Sequence, residues 1–423
     1  MFSLKQLKQN KTLINGGMFS VYSFINQGSS FLLLIILAKF ILPEDYGRLS
    51  LYNTVLMFLG YFIAFSASGF VSISYFKKDN QEFKKDFTAI LILSVITLIF
   101  FLLVAETFCL LKIIDFGFPL YLLRYAVLTS FTMCVVEIFL NYFRVQEKVV
   151  RYGIVSCGNA ILNFIISLLL VISLGKGWIG RVEAQFMCFA IFSILGLLYF
   201  KKEKLFDFRI PKQYFKVILL WGIPLIPHHA SAWLRQGCDR YIVSYYHSMT
   251  DVGLFSFALN MVSVIIMIGI AFNQTNSVQI YKILSDDIPP RTKLVKLGKQ
   301  TRTLVAIYLF SSLLILFLMS LAIPLVMPKY AGAVPFFVVL CIYGFLQCIY
   351  FLYCNYLFYY EKTNVLMMIT FFSSLLHLIL SFCFTRYSIY GTCFVYILTQ
   401  LLIVILVYSF SKRLLYANLR FKI

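Results

Sequence analysis

Long apolar segments recur along the whole 423-residue chain. Each holds about 20 residues, the length of helix that crosses the hydrocarbon core of a bilayer. The segments are continuous and lack the two-residue alternation of a membrane β-barrel, so they predict helices. Charged residues make up only 13% of the chain, about half the share found in soluble globular proteins, which excludes a water-soluble fold. The sequence therefore predicts an all-α integral membrane protein.

Breaks in hydropathy divide the chain into about twelve transmembrane helices. The first six predicted spans are 13–42, 47–76, 87–112, 119–143, 152–175 and 179–200. The last six are 217–246, 252–280, 302–327, 334–360, 364–386 and 390–411. No cleavable signal peptide is expected, because Met1–Lys11 is polar and basic and the first apolar segment lacks a small-residue cleavage site.

Positive charges predict the orientation of these helices. Most of the 37 Lys and Arg residues fall at the termini and in alternate connections: 5–11, 77–86, 144–151, 201–216, 281–302 and the tail from 412. An excess of Lys and Arg marks the cytoplasmic side, so both termini are expected there. The net charge of +20 is then a topology signal and an attraction for anionic membrane lipids. Nucleic-acid binding is not expected, because no basic soluble domain is present.

The cysteines do not predict a metal site or a disulfide framework. All ten lie inside predicted helices, none forms a Cys-x-x-Cys pair, and none pairs with histidine at ligand spacing. They are expected to be small packing residues, and no metal or cofactor is expected.

Internal similarity predicts two halves, 1–210 and 211–423. Three pairs of segments correspond in chain order: Pro43-Glu-Asp-Tyr-Gly47 with Met249-Thr-Asp-Val-Gly253, Glu147-Lys148 with Glu361-Lys362, and Gly180 with Gly391. Six helices per half is an even number, so the halves share one orientation. Parallel repeats of this kind are typical of alternating-access transporters with a site between the repeats. We therefore expect two parallel six-helix halves around a central cleft.

Two polar stripes occupy equivalent helices of the predicted halves. Ser156, Asn159, Asn163 and Ser167 share one helical face, as do Thr370, Ser373, His377 and Ser381. Such residues often join helices by hydrogen bonds, each contributing about 1 kcal/mol or less. Their equivalent placement favours the alternative that they line a polar interior.

The seventh predicted helix carries unusual chemistry. Pro224 and Pro227 each lack a backbone donor, so the helix is expected to bend there. Arg235 and Asp239 are spaced for an ion pair within one helix, and His228 is expected on the same face. Arg235 lies near mid-bilayer, where a charge is expected to face a protein interior or a water-filled cavity. Either a locked Arg–Asp pair or a cationic substrate site fits this pattern.

Other intramembrane polar residues admit two interpretations each. Lys39 and Arg124 lie about one turn inside the outer face, from which their side chains can extend to water. Glu106, Arg181 and Glu183 are expected at the interface. Glu137 is expected either to carry a coupling proton or to pair with Arg144. Several amides are expected to bind sugar hydroxyls or neighbouring helices: Asn26, Gln27, Asn260, Asn273 and Gln274.

The stretch Lys39-Phe-Ile-Leu-Pro-Glu-Asp-Tyr-Gly47 resembles the first-hairpin signature of Wzx-type bacterial polysaccharide flippases. These flippases belong to the multidrug/oligosaccharidyl-lipid/polysaccharide exporter superfamily. Further similar segments are Gly177-Trp-Ile-Gly-Arg181, Asp239-Arg-Tyr-Ile-Val-Ser244 and Val252-Gly-Leu-Phe255. Length, helix number and short outer loops extend the resemblance to the whole chain. Ile41-Leu42 departs from the pattern, in which a small residue often precedes the proline.

The resemblance implies a transporter and not an enzyme. Its implied substrate is an undecaprenyl-pyrophosphate-linked oligosaccharide repeat unit, moved by alternating access from the cytoplasmic to the outer leaflet of the bacterial inner membrane. The product would be the O-antigen of lipopolysaccharide, or capsule. The implied partners are membrane lipids and the polymerase and chain-length regulator of the same pathway, with H⁺ or Na⁺ as the coupling ion.

The resemblance also directs the choice of site residues. Arginine suits pyrophosphate because its guanidinium donates paired hydrogen bonds. We expect four cations to engage the pyrophosphate: Arg235, Arg240, Arg124 and Lys39. Six polar residues are expected in the cleft: Asn26, Gln27, Asn163, His228, Asn260 and His377. Glu137 and Asp239 are expected to couple transport to an ion or to form ion pairs.

Two alternatives remain open at this point. A multidrug or cation antiporter of the same superfamily would favour acidic cleft residues, whereas here buried Arg and Lys outnumber unpaired carboxylates. A membrane glycosyltransferase or polymerase would usually carry a large outer loop, and no outer loop here exceeds about ten residues by the predicted spans.

Overall fold

The computed structural model describes the backbone of residues 11–112 and 114–420, and all side chains in those ranges except those of 11–17, 19, 20, 23, 66, 67, 228 and 420. The described backbone is helical almost throughout, which confirms the predicted all-α fold. Within it, eleven stretches are long and apolar enough to cross a membrane, and a shorter apolar segment, Phe24–Phe40, precedes them. The chain is therefore a multi-pass integral membrane protein whose helices follow the predicted spans in order.

The chain folds into two compact units, Met1–Ala230 and Ser231–Ile423. The first unit contains α1 (Lys11–Phe40), α2 (Pro43–Phe62), α3 (Phe70–Lys77), α4 (Asn80–Leu111), α5 (Leu122–Val145), α6 (Val149–Leu168), α7 (Gly177–Lys202), α8 (Lys212–Gly222) and the start of α9 (Leu225–Gln236). The second contains the rest of α9, α10 (Cys238–Tyr246), α11 (Met249–Ser285), α12 (Pro290–Val326), α13 (Val334–Tyr359), α14 (Thr363–Thr385) and α15 (Ile389–Arg420). This boundary lies within α9, and the halves 1–210 and 211–423 stay a prediction.

The second predicted span is interrupted, which the sequence pattern did not indicate. A 3₁₀ segment, Ile63–Gly69, separates α2 from α3, and both Ala64 and Phe65 have a φ of 51°. Left-handed backbone is unfavourable for residues with a Cβ, so surrounding contacts must hold it. Gly222 supplies one such contact, because a Cβ there would lie 2.2 Å from the carbonyl oxygen of Phe65. The end of α8 and this 3₁₀ segment therefore pack backbone to backbone.

The seventh predicted span is broken at two places. Helix α8 ends at Gly222 and α9 begins at Leu225, which confirms the break predicted from Pro224 and Pro227. A second break at Gly237 separates α9 from α10. The helical spacing assumed for residues on either side of Gly237 therefore does not hold.

An aromatic core holds α4, α5 and α7 together in the first unit. Phe87 and Phe200 are fully buried, and their rings meet edge to face with centroids 4.8 Å apart. Phe139 and Tyr142 of α5 also contact Phe200 edge to face. Aromatic pairs of this geometry add to the stability that area burial provides. This core fixes α5 and α7, the helices that carry Glu137 and Arg181.

Both units repeat local features at the positions matched in the sequence. Glu147 and Glu361 have φ values of 54° and 56°, so each connection between adjacent helices turns through a left-handed residue. Gly180 and Gly391 each lie in the first turn of a helix, close to the backbone of an earlier segment. An added Cβ would lie 3.0 Å from the carbonyl carbon of Leu170 at Gly180 and 2.4 Å from the carbonyl oxygen of Phe384 at Gly391. These shared features support the proposal that the halves are repeats.

Candidate functional site

The first unit contains a half-open cavity of about 830 Å³, whose wall combines polar and apolar side chains. Helices α1, α2, α5, α6, α7, α8 and α9 all contribute to its wall. The polar side chains in the wall include Asn26, Asn53, Asn159, Asn163 and Gln185, together with the ionisable residues Tyr61, Glu137, Arg181 and His229. Polar groups exposed to hydrocarbon are costly, so their concentration around one cavity makes it the candidate binding site of this unit.

Arg181 supplies the positive charge of this cavity. Its Nη1 donates to Asn163 Oδ1 at 2.6 Å and to Ser167 Oγ at 3.0 Å, which anchors the guanidinium against α6. Both acceptors are neutral, and no carboxylate in the described part of the chain pairs with Arg181. The arginine therefore presents an uncompensated charge to the cavity.

The placement of Arg181 corrects the expectation from sequence. An interfacial position was expected because Arg181 falls in the second turn of α7, near the end of a predicted span. The side chain instead turns inward to Asn163, which lies in the stripe predicted to line a polar interior. A long flexible side chain can reach about a turn from its Cα, so depth along the sequence does not fix where the charge lies.

Glu137 supplies the negative charge of the cavity. It is hydrogen-bonded to Ser68 and remains exposed on the cavity side. The predicted alternative of a direct pair with Arg144 is not found: Arg144 donates instead to Asn141 Oδ1 at 3.2 Å and to the Tyr152 hydroxyl at 3.2 Å. The carboxyl group of Glu137 is therefore open to the cavity.

The two charges lie at different depths in the cavity. Glu137 on α5 and Ser156 on α6 both lie about two turns from the connection between these helices. Asn163, which holds Arg181, is about 10 Å further along α6 than Ser156 at 1.5 Å per residue. Asn26 donates to Ser156 Oγ at 3.4 Å and so lies at the Glu137 level. The cavity has a carboxylate end and a guanidinium end.

Aromatic rings add flat surfaces to the same wall. Tyr61 and His229 stack with centroids 4.9 Å apart and planes 10° from parallel. Trp221 also lines the cavity, and a Cβ at Gly69 would lie 3.2 Å from its ring. Glycine at 69 therefore lets the indole lie against the 3₁₀ segment. Rings placed beside amides suit a ligand with both apolar faces and hydroxyl groups.

A separate polar cluster lies buried in the second unit. Asp239 is fully buried and accepts from Ser381 Oγ at 2.6 Å, while its other oxygen lies 2.6 Å from His377 Nε2. His377 Nδ1 lies 2.9 Å from Thr399 Oγ1. The alternative of an Arg235–Asp239 pair is not found, because the break at Gly237 turns the carboxylate toward α14.

The predicted arginines of this region are held near Asp239 without pairing to it. Arg240 donates to Ser256 Oγ at 3.2 Å and to the carbonyl oxygen of Gln236 at 2.5 Å. Arg235 is half-buried, and its Nε has no hydrogen-bond partner among the described residues. A buried unpaired donor is costly, so the Nε–H group of Arg235 keeps an unused capacity to donate a hydrogen bond.

The remaining predicted residues are not brought to the cavity. Arg124 forms an ion pair with Glu106, with Nε and Oε1 2.6 Å apart, and both side chains are largely exposed. Lys39 and Gln27 are exposed on α1, and neither lines the cavity. Asn260 lies in the second unit, on α11. His228 lies in α9, and its side chain is outside the described ones.

Comparison with known proteins decides the family. The model of the family described as polysaccharide biosynthesis protein matches residues 13–278, more than half of the chain. The chain belongs to this family. A Haemophilus influenzae protein described only as an uncharacterized membrane protein is 22% identical over 357 residues, which cover 82% of this chain and 84% of that protein.

Two solved structures share the fold of this polysaccharide biosynthesis family member. An inward-facing multidrug resistance transporter of the MATE family, in the MOP superfamily, matches with a TM-score of 0.75 and 12% identity, covering 95% of this chain and 98% of its own. The lipid II flippase MurJ in an inward closed conformation matches with a TM-score of 0.72 and 15% identity, covering 93% and 87%. At these identities the likeness shows the fold.

The family match contains the whole cavity of the first unit. Asn26 and His229 both fall within residues 13–278, as do Glu137 and Arg181. His377, which completes the buried cluster of the second unit, falls outside the matched range. The first-unit cavity is therefore the candidate functional site of this family member.

Proposed function

We propose that the protein is a flippase that moves an undecaprenyl-pyrophosphate-linked oligosaccharide repeat unit across the bacterial inner membrane. The cycle would be alternating access, and the product O-antigen or capsule. The polysaccharide biosynthesis family, the fold shared with MurJ and the polar cavity support this proposal. Transport needs such a cavity because sugars and phosphates cannot cross hydrocarbon unshielded.

The uncompensated guanidinium of Arg181 is the observation that carries the proposal. Two neutral acceptors hold one nitrogen of Arg181, so its other N–H groups remain to donate to a phosphate oxygen. Arginine binds phosphate well because its planar fork matches two oxygens. Arg235 and Arg240 stay in the proposal as cations of the second unit. We leave Arg124 out, because Glu106 already neutralises it in an exposed pair.

Sugar recognition is assigned to the amides and rings of the cavity. Asn53, Asn159 and Gln185 offer both donors and acceptors, which sugar hydroxyl groups require. The Tyr61–His229 stack and Trp221 offer flat faces for pyranose rings. Pockets of this kind fix a ligand through a few polar groups on an otherwise apolar wall.

Glu137 is the residue we assign to ion coupling, with a proton as the ion. Its carboxyl group opens onto the cavity and can exchange a proton with cavity water. The ionisable groups facing it or sharing the cavity are Cys134, Arg144, Tyr61, Arg181 and His229. Asp239 is assigned a structural role, because Ser381 and His377 occupy its oxygens.

Complementation of a deletion strain tests the substrate-binding role of Arg181. Arg181→Ala should leave the protein in the membrane at normal level while surface polysaccharide falls and lipid-linked single repeat units accumulate. Arg124→Ala is the matched control: it removes an arginine from an exposed ion pair and should export normally. Normal export by Arg181→Ala at normal protein level would overturn the assignment.

One observation favours a second candidate, a cation exporter of the same fold. Glu137 places an accessible carboxylate in the cavity, and carboxylates bind organic cations. Glu137→Gln distinguishes the two functions. If the protein is a cation exporter, cells with Glu137→Gln lose resistance to cationic drugs. If it is a flippase, the drug sensitivity of these cells is unchanged and glycan export no longer depends on the proton gradient.

A further inference from the structure

A second cavity, of about 310 Å³, lies in the second unit between α12, α13 and α15. On α12, Arg302 is the last cation before the apolar run that begins at Leu304, and on α15, Lys412 follows the apolar run that ends at Phe410. The cavity therefore lies where both helices leave the hydrocarbon, at the end of the unit predicted to be cytoplasmic. Tyrosine and cations are enriched at this level of membrane proteins.

The cavity wall combines two cations with four tyrosines and contains no carboxylate. The cations are Arg302 and Lys412, and the tyrosines are Tyr353, Tyr356, Tyr408 and Tyr416. Arg302 is exposed and has no hydrogen-bond or ion-pair partner within the described ranges. The site therefore carries net positive charge with phenol hydroxyl groups beside it, which suits a phosphate group.

Contacts among the wall residues preform the cavity. The Lys412 ammonium lies 5.5 Å from the centroid of Tyr408 and 5.9 Å from that of Tyr416. Tyr353 packs edge to face on Tyr408, with centroids 4.9 Å apart, and Ser411 Oγ donates to the Tyr353 carbonyl oxygen at 2.8 Å. Tyrosine rings thus orient the ammonium without neutralising it. An anion would meet a charge already held in place.

Exposed apolar stripes continue from both cations toward the middle of the membrane. On α12, Leu309 and Leu313 follow Arg302 at helical spacings that keep them on one face. On α15, Ile405 and Leu401 precede Lys412 on one face in the same way. A soluble anion would make no contact with these apolar stripes, whereas the acyl chains of a lipid would lie along them.

We infer that this cavity binds the phosphate headgroup of an anionic phospholipid of the cytoplasmic leaflet. Arg302 donates paired hydrogen bonds to the phosphodiester, Lys412 adds a point charge, and a tyrosine hydroxyl donates to the remaining oxygen. The acyl chains lie along the stripes of α12 and α15. The inference requires that the chain spans the membrane in the orientation predicted from its positive charges, and it stands whether or not the protein transports a glycan.

Lipid retention by the purified full-length protein tests the inference. The protein is incubated with phosphatidylglycerol and phosphatidylcholine in equal amounts, and bound lipid is counted by native mass spectrometry. The test variant is Arg302→Ala/Lys412→Ala. The control is Lys299→Ala/Arg413→Ala, which removes two exposed cations from the same helices next to the cavity but not in its wall.

The expected result is preferential retention of phosphatidylglycerol that the test variant loses. Its affinity for phosphatidylglycerol should fall at least about tenfold more than that of the control, because losing even one charge-assisted hydrogen bond costs about a factor of ten. Both double variants should keep the gel-filtration profile and helical content of the wild-type protein. If Arg302→Ala/Lys412→Ala fails to fold, the single variant Arg302→Gln should show a partial loss of bound phosphatidylglycerol. Equal loss in test and control would overturn the site. Displacement of the lipid by inorganic phosphate alone would overturn the lipid assignment in favour of a soluble anion.

Discussion

Removing the carboxylate of Asp239 should destabilise the second unit, because two buried side chains lose their acceptor. Ser381 Oγ and His377 Nε2 each lie 2.6 Å from an Asp239 oxygen, and none of the three is exposed by more than 1%. Asp239→Ala leaves both groups buried without a partner. His377→Ala leaves the carboxylate with Ser381, and the double variant removes both members of the pair.

The magnitude follows from the number and kind of bonds. A hydrogen bond to a charged group contributes about 1.5–3 kcal/mol to the free energy of unfolding. Loss of both bonds in Asp239→Ala should therefore cost about 3–6 kcal/mol. Hydrogen bonds between helices in a bilayer average only about 0.6 kcal/mol, because the unfolded chain in the membrane also finds partners. We therefore expect the lower limit, about 3 kcal/mol, which lowers the Tm of a chain of this length by about 3 °C.

Thermal unfolding in detergent can be followed through the protein's own cysteines. Of ten cysteines, six are buried, and Cys341, Cys348, Cys354 and Cys393 report on the second unit. A thiol-reactive fluorophore therefore gains signal as that unit opens. In a double-mutant cycle, Asp239→Ala/His377→Ala should cost clearly less than the sum of the single variants, with a coupling of about 1–3 kcal/mol. Strict additivity, or an unchanged Tm for Asp239→Ala, would refute the pairing.

Three further substitutions give sharp expectations. Asn163→Ala removes the 2.6 Å acceptor of Arg181, so export in the complementation assay should fall about tenfold. The control Asn418→Ala, at an exposed amide near the end of α15, should not share this loss. Gly222→Ala places a Cβ 2.2 Å from the Phe65 carbonyl oxygen and should cost about 1–3 kcal/mol, whereas Gly28→Ala, with open space around it, should be neutral or slightly stabilising in the same melt. Glu137→Gln should abolish acceleration of export by an imposed proton gradient, and an unchanged response would remove Glu137 from the coupling step.

The helices of this protein could be predicted because membrane insertion leaves few choices. Every backbone polar group inside hydrocarbon must be paired within its own helix, so hydropathy alone places the spans. The break near Pro224 could be predicted for the same reason, because proline removes a donor. The break at Ile63–Gly69 carries no proline. It depends on contact with Gly222, and such a contact between distant residues leaves no local pattern.

The candidate site was only partly predictable. Asn163 lines the cavity as the polar stripe of its helix suggested, and Asn26 lines it as expected of an intramembrane amide, because polar side chains avoid lipid. Arg181 was missed, since its position along α7 predicts an interfacial side chain and only its partner Asn163 pointed inward. The Arg235–Asp239 pair, one of two alternatives that the spacing allowed, does not form. The one-residue break at Gly237 turns Asp239 toward α14 instead.

Reconstitution into vesicles tests the central claim most directly. A lipid-linked oligosaccharide with a fluorescent sugar is placed in both leaflets, and a membrane-impermeant quencher reports the fraction that reaches the outer one. With the wild-type protein and with Arg124→Ala, quenching should proceed beyond the fraction of lipid initially in the outer leaflet. With Arg181→Ala, quenching should stop at that initial outer-leaflet fraction. Quenching that stops at the outer-leaflet fraction with the wild-type protein, or that proceeds equally with Arg181→Ala, would contradict it.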